Sequence, residues 1–231
     1  MIGDGVRELC FSRKQKLSEQ ILFPYPHPKA VGLILDPTRA ARVKAVTPGS
    51  SAANAGFEAG DEIESLDGQL LCSIADVQWV LNSAYPDGAV LKARIHRREK
   101  QTELRLVLPK GWRQKDDISW RASTWGLRRK ATGGMLLESL PESERAGLQI
   151  PSTSMALLVK HVGEYPPHNI AQKAGFRKGD VIVSFDSRTD LLRETDVIAY
   201  SLLQKQPGDR VPVTVLRNEV KQTLHLSIQL E

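Results

Sequence analysis

The side chains best suited to chemistry lie far apart in this sequence. Of the five histidines only His161 and His168 are close together, and no cluster of cysteines or carboxylates accompanies them, as a metal site would require. No Gly-x-Ser-x-Gly motif presents a nucleophilic serine. We therefore expect no catalytic centre, no metal site and no cofactor. The histidines are expected on surfaces or strand edges: His27, His96, His161, His168 and His225.

The composition narrows the class of protein without naming a partner. Hydrophobic residues make up 41% of the chain and charged residues 26%, which is ordinary for a globular protein. The net charge of +5 is a weak indication of an anionic partner. Cys10 and Cys72 are too far apart for a disulfide framework, and the apolar neighbours of Cys72 predict a small buried side chain.

The sequence contains no targeting or membrane-spanning pattern. No run approaches the ~18 apolar residues that cross a bilayer, and residues 1–8 do not resemble a signal peptide. Either the protein stays in the cytoplasm or this chain lacks its true N-terminus.

One nine-residue pattern occurs twice. Ala55-Gly56-Phe57-Glu58-Ala59-Gly60-Asp61-Glu62-Ile63 returns 119 residues later as Ala174-Gly175-Phe176-Arg177-Lys178-Gly179-Asp180-Val181-Ile182. That spacing is too long for a solenoid repeat and suits two copies of one small domain. Because the pattern is rich in glycine and poor in reactive groups, it indicates a repeated binding fold.

Each copy is expected to consist of short strands and two helices. Apolar runs and alternating segments predict the strands, while Ser, Gly and Pro mark the helix ends. In the first copy the predicted strands are 31–35, 41–46, 61–66, 90–96 and 103–108, and the helices are 52–55 and 74–84. In the second copy the strands are 133–137, 157–162, 181–185, 211–216 and 223–230, and the helices are a short one ending at Ala174 and 195–204.

The predicted domain limits follow from these elements. Residues 1–29 are an irregular, Pro-rich lead-in with a helical piece over 13–20, residues 30–109 are the first domain, and residues 132–231 are the second. An insert over 138–156 reads as a loop because it contains Pro141, Pro151 and several serines.

The segment between the copies, 110–131, is predicted to be a basic linker rich in tryptophan. It holds Trp112, Trp120 and Trp125 together with seven Lys or Arg residues. Interleaved Trp and Arg also suit nucleic-acid binding. We favour packing of the tryptophans onto the domains, because the spacing matches no nucleic-acid motif, and Trp79 is expected to be exposed.

The order of elements in each copy resembles PDZ domains, in the permuted bacterial form of the HtrA proteases. The resemblance rests on Pro48–Phe57, which matches the short helix and its exit turn, on Gly60-Asp61, and on the turn Asp67-Gly68. It covers about residues 30–109 and 131–231. The implied fold class is α+β, each domain being a small, partly open β-barrel or sandwich with two helices.

The resemblance also implies a peptide site in each domain. A PDZ domain adds an extended peptide to an open sheet edge beside its second helix, and backbone N–H groups ahead of that strand hold the terminal carboxylate. Here the loops and strands would be Val31-Gly32-Leu33-Ile34-Leu35 and Gly133-Gly134-Met135-Leu136-Leu137. The side-chain pockets would be formed by Leu33, Leu35, Val77 and Leu81, and by Met135, Leu137, Val197 and Leu202.

Two alternatives to this site assignment remain. The glycines at 32, 133 and 134 would, on the simpler interpretation, mark only tight turns. The insert after Leu137 would, if it covers the second groove, make that copy the weaker site.

The whole chain is also similar to a narrower bacterial group, found mainly in planctomycetes, in which a thioredoxin-like domain precedes the PDZ part. That group has Cys-x-x-Cys-His before its Pro-rich segment, whereas this chain has Cys10-Phe11-Ser12-Arg13-Lys14 and then Phe23–Pro28. Without the second Cys and the His, neither haem attachment nor dithiol chemistry is expected. The similarity implies a C-terminal part or a divergent member, located outside the cytoplasm.

The sequence as a whole predicts a non-catalytic module that recognises extended protein segments or C-termini by strand addition. No nucleic acid and no membrane span are expected. One alternative is the regulatory C-terminal part of a larger protease or thioredoxin-like redox protein. The other is a structural spacer or dimerisation pair whose grooves are blocked.

Overall fold

The computed structural model describes residues 17–39 and 41–229 and divides into two compact units. The first unit is Glu19–Asp117, and the second holds residues 118–229. Cys10 and most of the helix predicted over 13–20 lie outside the described residues.

The first unit combines short helices with two antiparallel sheets. β1 pairs with β2, and a four-stranded sheet has the order β4-β3-β5-β6. Its elements, in chain order, are α1 (Glu19–Leu22), β1 (Leu33–Leu35), β2 (Val43–Val46), α2 (Ser51–Asn54), β3 (Glu62–Leu66), β4 (Gln69–Leu70), α3 (Ile74–Ser83), β5 (Ala89–Arg97) and β6 (Lys100–Leu108), with 3-10 turns at Pro28–Val31 and Trp112–Lys115.

Alternation along β5 explains how this sheet covers its core. Leu91, Ala93 and Ile95 are buried, while the residues between them are exposed. Side chains of a strand point alternately to opposite faces, so one face packs and the other meets water. β5 and β6 are joined by a tight turn at Arg98 and Glu99, which have φ of 48° and 66°.

The second unit builds one continuous sheet. All neighbours are antiparallel, in the order β11-β10-β9-β8-β7. Its elements are α4 (Thr124–Thr132), β7 (Met135–Ser139), α5 (Glu142–Gly147), β8 (Leu157–Val162), α6 (Ile170–Lys173), β9 (Val181–Phe185), α7 (Glu194–Gln204), β10 (Arg210–Arg217) and β11 (Val220–Ser227). Both units are therefore α+β, as predicted, and no sheet of the described residues closes into a barrel.

The insert of the second copy is ordered, so its prediction as a loop is wrong. It contains α5, and Leu140 and Ala156 at its two ends are buried against Val181. Arg145 is 5% exposed and donates to the Ser154 carbonyl at 2.8 Å. This internal hydrogen bond joins α5 to the C-terminal part of the insert, which the prolines alone did not indicate.

Two expectations for single residues are corrected. Cys72 is exposed, because it lies in the turn just before α3 and not on the apolar face of a strand or helix. Trp112 is buried, as predicted for the 110–131 segment, but Trp120 and Trp125 are 66% and 50% exposed. Trp79 is 58% exposed, as expected for the outer face of α3.

The domain limits at 29, 109 and 132 stay predictions.

Candidate functional site

The backbone of β1 has polar groups that point away from its partner strand β2. The Thr47 N–H donates to the Gly32 carbonyl at 2.9 Å, and Leu33 is aligned with Val46. Since bonded and non-bonded pairs alternate in an antiparallel ladder, the backbone groups of Leu33 point outward. Beyond a bulge, the Asp36 N–H bonds the Arg42 carbonyl, so Leu35 also points outward. This outer edge can accept a further strand.

The turn ahead of β1 depends on Gly32. Its φ is +89°, and a Cβ there would lie 2.0 Å from the Ser50 Oγ. Ser50 in turn caps α2 by accepting the Ala53 N–H at 3.2 Å. The Gly32 N–H is already bonded to the Lys29 carbonyl at 3.0 Å. Any carboxylate held at this loop must therefore use the outward N–H of Leu33 rather than that of Gly32.

The predicted pocket residues of the first copy lie in its hydrophobic core. Leu33, Val77 and Leu81 are fully buried and Leu35 is 7% exposed. Val31 is also buried, whereas Ile34 is partly exposed on the other side of β1. These side chains hold β1 and α3 in one core, and their part in a peptide pocket stays a prediction.

The N-terminus of α3 is fixed by a capping box. The Ser73 Oγ accepts the Asp76 N–H at 3.4 Å, and the Asp76 carboxylate accepts the N–H groups of Cys72 and Ser73, both at 2.8 Å. The Cys72 hydrogen bond, followed by that of Ser73, holds the pKa of the Asp76 carboxyl below its ordinary value. Ile74, the first residue of α3, is partly exposed.

The second copy repeats the geometry of the strand edge. The Gly163 N–H donates to the Gly134 carbonyl at 3.1 Å, Met135 is aligned with Val162, and a bulge follows Leu136. By the same alternation, Met135 and Leu137 point outward. The side chains of Met135, Leu137, Val197 and Leu202 are all buried, and Leu136 is partly exposed.

Unlike β1, the outward groups of β7 are bonded within the same unit. The Met135 carbonyl accepts the Thr132 hydroxyl at 2.9 Å, and the Leu137 N–H donates to the Glu194 Oε1 at 2.9 Å. Further along, the Ser139 hydroxyl donates to the Leu192 carbonyl at 2.8 Å. One outward backbone group at Met135 and one at Leu137 are thus bonded within the unit, and the Ser139 side chain is bonded beside them.

Glu194 belongs to a buried ion pair that sequence reasoning missed. Arg128 donates from Nε to Oε1 at 2.9 Å and from Nη2 to Oε2 at 2.6 Å, and the two side chains are 6% and 2% exposed. Arg128 lies on α4 and Glu194 begins α7, 66 residues later. Arg128 stood in the predicted linker, and nothing in its neighbourhood indicated this partner.

The glycine pair before β7 is required by close packing. A Cβ on Gly134 would lie 2.0 Å from the His168 carbonyl oxygen, and one on Gly133 would lie 2.8 Å from a Leu226 methyl group. The Gly134 N–H bonds the Arg128 carbonyl at 3.1 Å and so ends α4. Here too the glycine N–H is used inside the protein.

A second missed pair explains the repeated motif. Asp61, 1% exposed, accepts Arg97 at 2.7 and 2.8 Å, and the Arg97 Nη2 also donates to the Gly56 carbonyl at 2.7 Å. Asp180 and Arg217 repeat this at 2.7 and 2.7 Å, with Gly175 as the carbonyl partner. The sequence did contain a signal for this pair. Arg-x-Glu occurs downstream of the motif in both copies, at 97–99 and at 217–219.

The described residues offer little reactive chemistry. Among them, no group of three or more His, Cys, Asp and Glu side chains is placed to hold a metal ion. In the same part of the chain, no helix is both long and apolar enough to cross a membrane.

Comparison with known families identifies the two units. One PDZ-domain model matches residues 42–87 of the first unit, and another matches residues 147–228 of the second. The chain therefore contains two PDZ domains in tandem, of the HtrA-like type, and the PDZ domain is a non-catalytic module.

The chain is also similar to individual known proteins. The chain is 30% identical over 149 residues to the periplasmic pH-dependent serine endoprotease DegQ of Escherichia coli (strain K12), which is 64% of this chain and 29% of DegQ. Similar solved structures include the HtrA-type protease AlgW with a decapeptide, at 15% identity and a TM-score of 0.37 over 64% of this chain and 50% of AlgW. A serine endoprotease from Yersinia pestis matches at 21% identity and a TM-score of 0.28 over 33% of this chain and 29% of that one. The chain thus spans less than a third of DegQ. The thioredoxin-like resemblance stays a prediction.

Proposed function

We propose that the first unit binds an extended peptide or a protein C-terminus as an added strand on the outer edge of β1. The observation that carries this is the outward direction of the Leu33 and Leu35 backbone. An incoming strand would complete the ladder on that side, and main-chain hydrogen bonds would supply much of its affinity.

The polarity of the bound peptide follows from the position of the loop. With its carboxylate near the Leu33 N–H at the start of β1, the peptide would run antiparallel to the strand. The partly exposed Ile74 at the start of α3 would contact a side chain further back along the peptide. Because a short added strand buries far less than the ~1,600 Å² of a standard interface, we expect micromolar affinity.

A library of random heptapeptides, each with a free or an amidated C-terminus, tests carboxylate capture. Binding is read by fluorescence anisotropy, and amidation is expected to weaken it about tenfold, since a hydrogen bond to a charged group contributes about 1.5 kcal/mol or more. Equal binding of the two forms would show that the carboxylate is not recognised.

The same peptides, N-methylated at alternate residues, test strand addition. Methylation of the residues that pair with Leu33 and Leu35 removes ladder donors and should abolish binding, whereas methylation of the residues between them should be tolerated. If both methylated sets bind equally, strand addition is wrong even where peptides bind.

A second candidate is the regulatory part of a larger extracytoplasmic protease. The similarity to DegQ, a periplasmic serine endoprotease of which this chain spans 29%, favours it. Sequencing the DNA upstream of Met1 tests this: an in-frame protease or thioredoxin-like domain with a signal peptide supports it. A stop codon directly upstream contradicts it.

A further inference from the structure

We propose that α4 is an internal ligand of the second PDZ domain: it occupies the place of an added strand between β7 and α7, and the Arg128–Glu194 pair holds it there. The inference rests on the proposed function only in taking this edge as the counterpart of the β1 edge.

The position of α4 fits that of a bound strand. It packs against both β7 and α7. Its C-terminal end reaches Gly133 and Gly134 at the start of β7, where a peptide C-terminus would lie. Towards its N-terminal end, the Thr124 hydroxyl bonds the Ile118 carbonyl, and the Ile118 N–H donates to the Thr195 Oγ1 on α7 at 3.1 Å. The helix therefore runs antiparallel to β7.

The length of α4 also matches. Its nine residues span about 13 Å at 1.5 Å per residue, which is the length of a strand of about four residues. Leu127 and Ala131 are buried on the same side as Arg128, while Trp125 is half exposed. One face of the helix is thus directed into the unit, as a ligand's would be.

Two hydrogen bonds within the unit, one from α4 and one to α7, replace those of a peptide. A peptide strand would donate to the Met135 carbonyl and accept the Leu137 N–H. Thr132 makes the first bond and Glu194, held by Arg128, makes the second. Since the Met135 carbonyl and the Leu137 N–H already have partners, an incoming strand cannot bond these two groups unless Thr132 and Glu194 release them.

The first copy lacks both members of this pair. Aligning the capping pairs Ser73–Asp76 and Arg193–Asp196 places Ile74 opposite Glu194. When Gly32 is aligned with Gly134 and the two segments before them are compared residue by residue, Pro26 stands opposite Arg128. Ile74 offers no acceptor for a strand N–H, so the Arg–Glu pair has no counterpart at the aligned positions of the first domain.

Amide hydrogen exchange of the full chain tests the docking of α4 without any peptide. In the wild type, the Leu137 amide is expected to exchange as slowly as amides of the central strand β9. Arg128→Glu and Glu194→Arg should each speed its exchange about 100-fold, because each leaves an unpaired charge in a buried site. The double exchange, Arg128→Glu with Glu194→Arg, should restore most of the protection.

Lys178→Glu, the same charge reversal at an exposed site of this unit, is the control and should leave the Leu137 amide unchanged. Exchange at β9 in each variant shows whether the unit is still folded. A fast-exchanging Leu137 amide in the wild type would overturn the proposal. So would single variants in which Leu137 stays protected while β9 is intact.

Peptide addition separates this proposal from the function proposed above. A saturating amount of a peptide from the library should shift the amide NMR signals of Leu33 and Leu35. The amide signals of Met135 and Leu137 should stay unchanged. Shifts at Met135 and Leu137 in the wild type would refute the internal ligand alone. No shifts at either edge, with Leu137 protected, would refute peptide binding and leave α4 as the ligand of its groove.

Discussion

At the residue scale, the aspartate of the repeated motif acts as a structural anchor. Asp61 and Asp180 are each almost fully buried, and each accepts two hydrogen bonds from an arginine and one from a nearby backbone N–H. The arginine also binds the glycine carbonyl at the end of the short helix. One guanidinium thus joins the helix exit, the strand entry and the end of a hairpin.

Arg97→Met is expected to lower the free energy of unfolding by about 2 kcal/mol. Removing one partner of a buried pair costs about 3–5 kcal/mol, and the Arg97 side chain, at 27% exposed, should be at or below the lower end of that range. Urea unfolding measures the change. Arg94→Met, at an exposed position of the same strand, is the control, and equal effects of the two variants would contradict the anchoring role.

At the scale of elements, two glycines with similar backbone angles differ in how closely other atoms pack against them. Gly32 and Gly60 have φ of +89° and +96°, yet a Cβ at Gly60 would meet nothing within 4 Å, whereas one at Gly32 would collide with Ser50. The first position needs glycine for its backbone angle and its contact, and the second for its angle only.

Gly60→Ala should therefore cost about 1 kcal/mol, the strain of a left-handed residue with a side chain. Gly32→Ala should cost about 2–3 kcal/mol, because displacing Ser50 also removes the cap of α2. Thermal and urea unfolding of the two variants give the comparison. If they prove equally destabilised, the contact with Ser50 contributes nothing.

The prediction of elements was most successful where the signal is local. The motif and the alternation in β5 are read within about ten residues, and both PDZ domains followed from such local patterns. The order in the insert was missed because it depends on distant contacts. Leu140 and Ala156, 16 residues apart, are both buried against Val181, which lies further still along the chain. The Leu137–Glu194 bond, 57 residues apart, shows the same limit.

At the scale of the whole molecule, the two copies share a scaffold and differ at their strand edges. Each has antiparallel strands, the Asp–Arg anchor and a glycine turn before the edge strand. Within the described residues, a buried charged pair lies at that edge in the second copy and not in the first. Duplication of the fold therefore does not imply duplication of the site.

Calorimetric titration of the full chain with a selected peptide should accordingly give one peptide per chain. Two tandem sites of equal quality would give two, and a stoichiometry of two in the wild type would contradict the division of roles. The Lys178→Glu chain provides the matched control, since its charge change lies outside both edges.

The unequal edges also bear on self-association. An unpaired strand is a template for pairing with another molecule, and the hazard grows with its length. Of the two groove strands, β1 has three residues and β7 has five, and the longer one is the one that α4 covers. Chains in which α4 is released would display the longer template, so charge reversal at Arg128 or Glu194 is expected to increase self-association at high concentration.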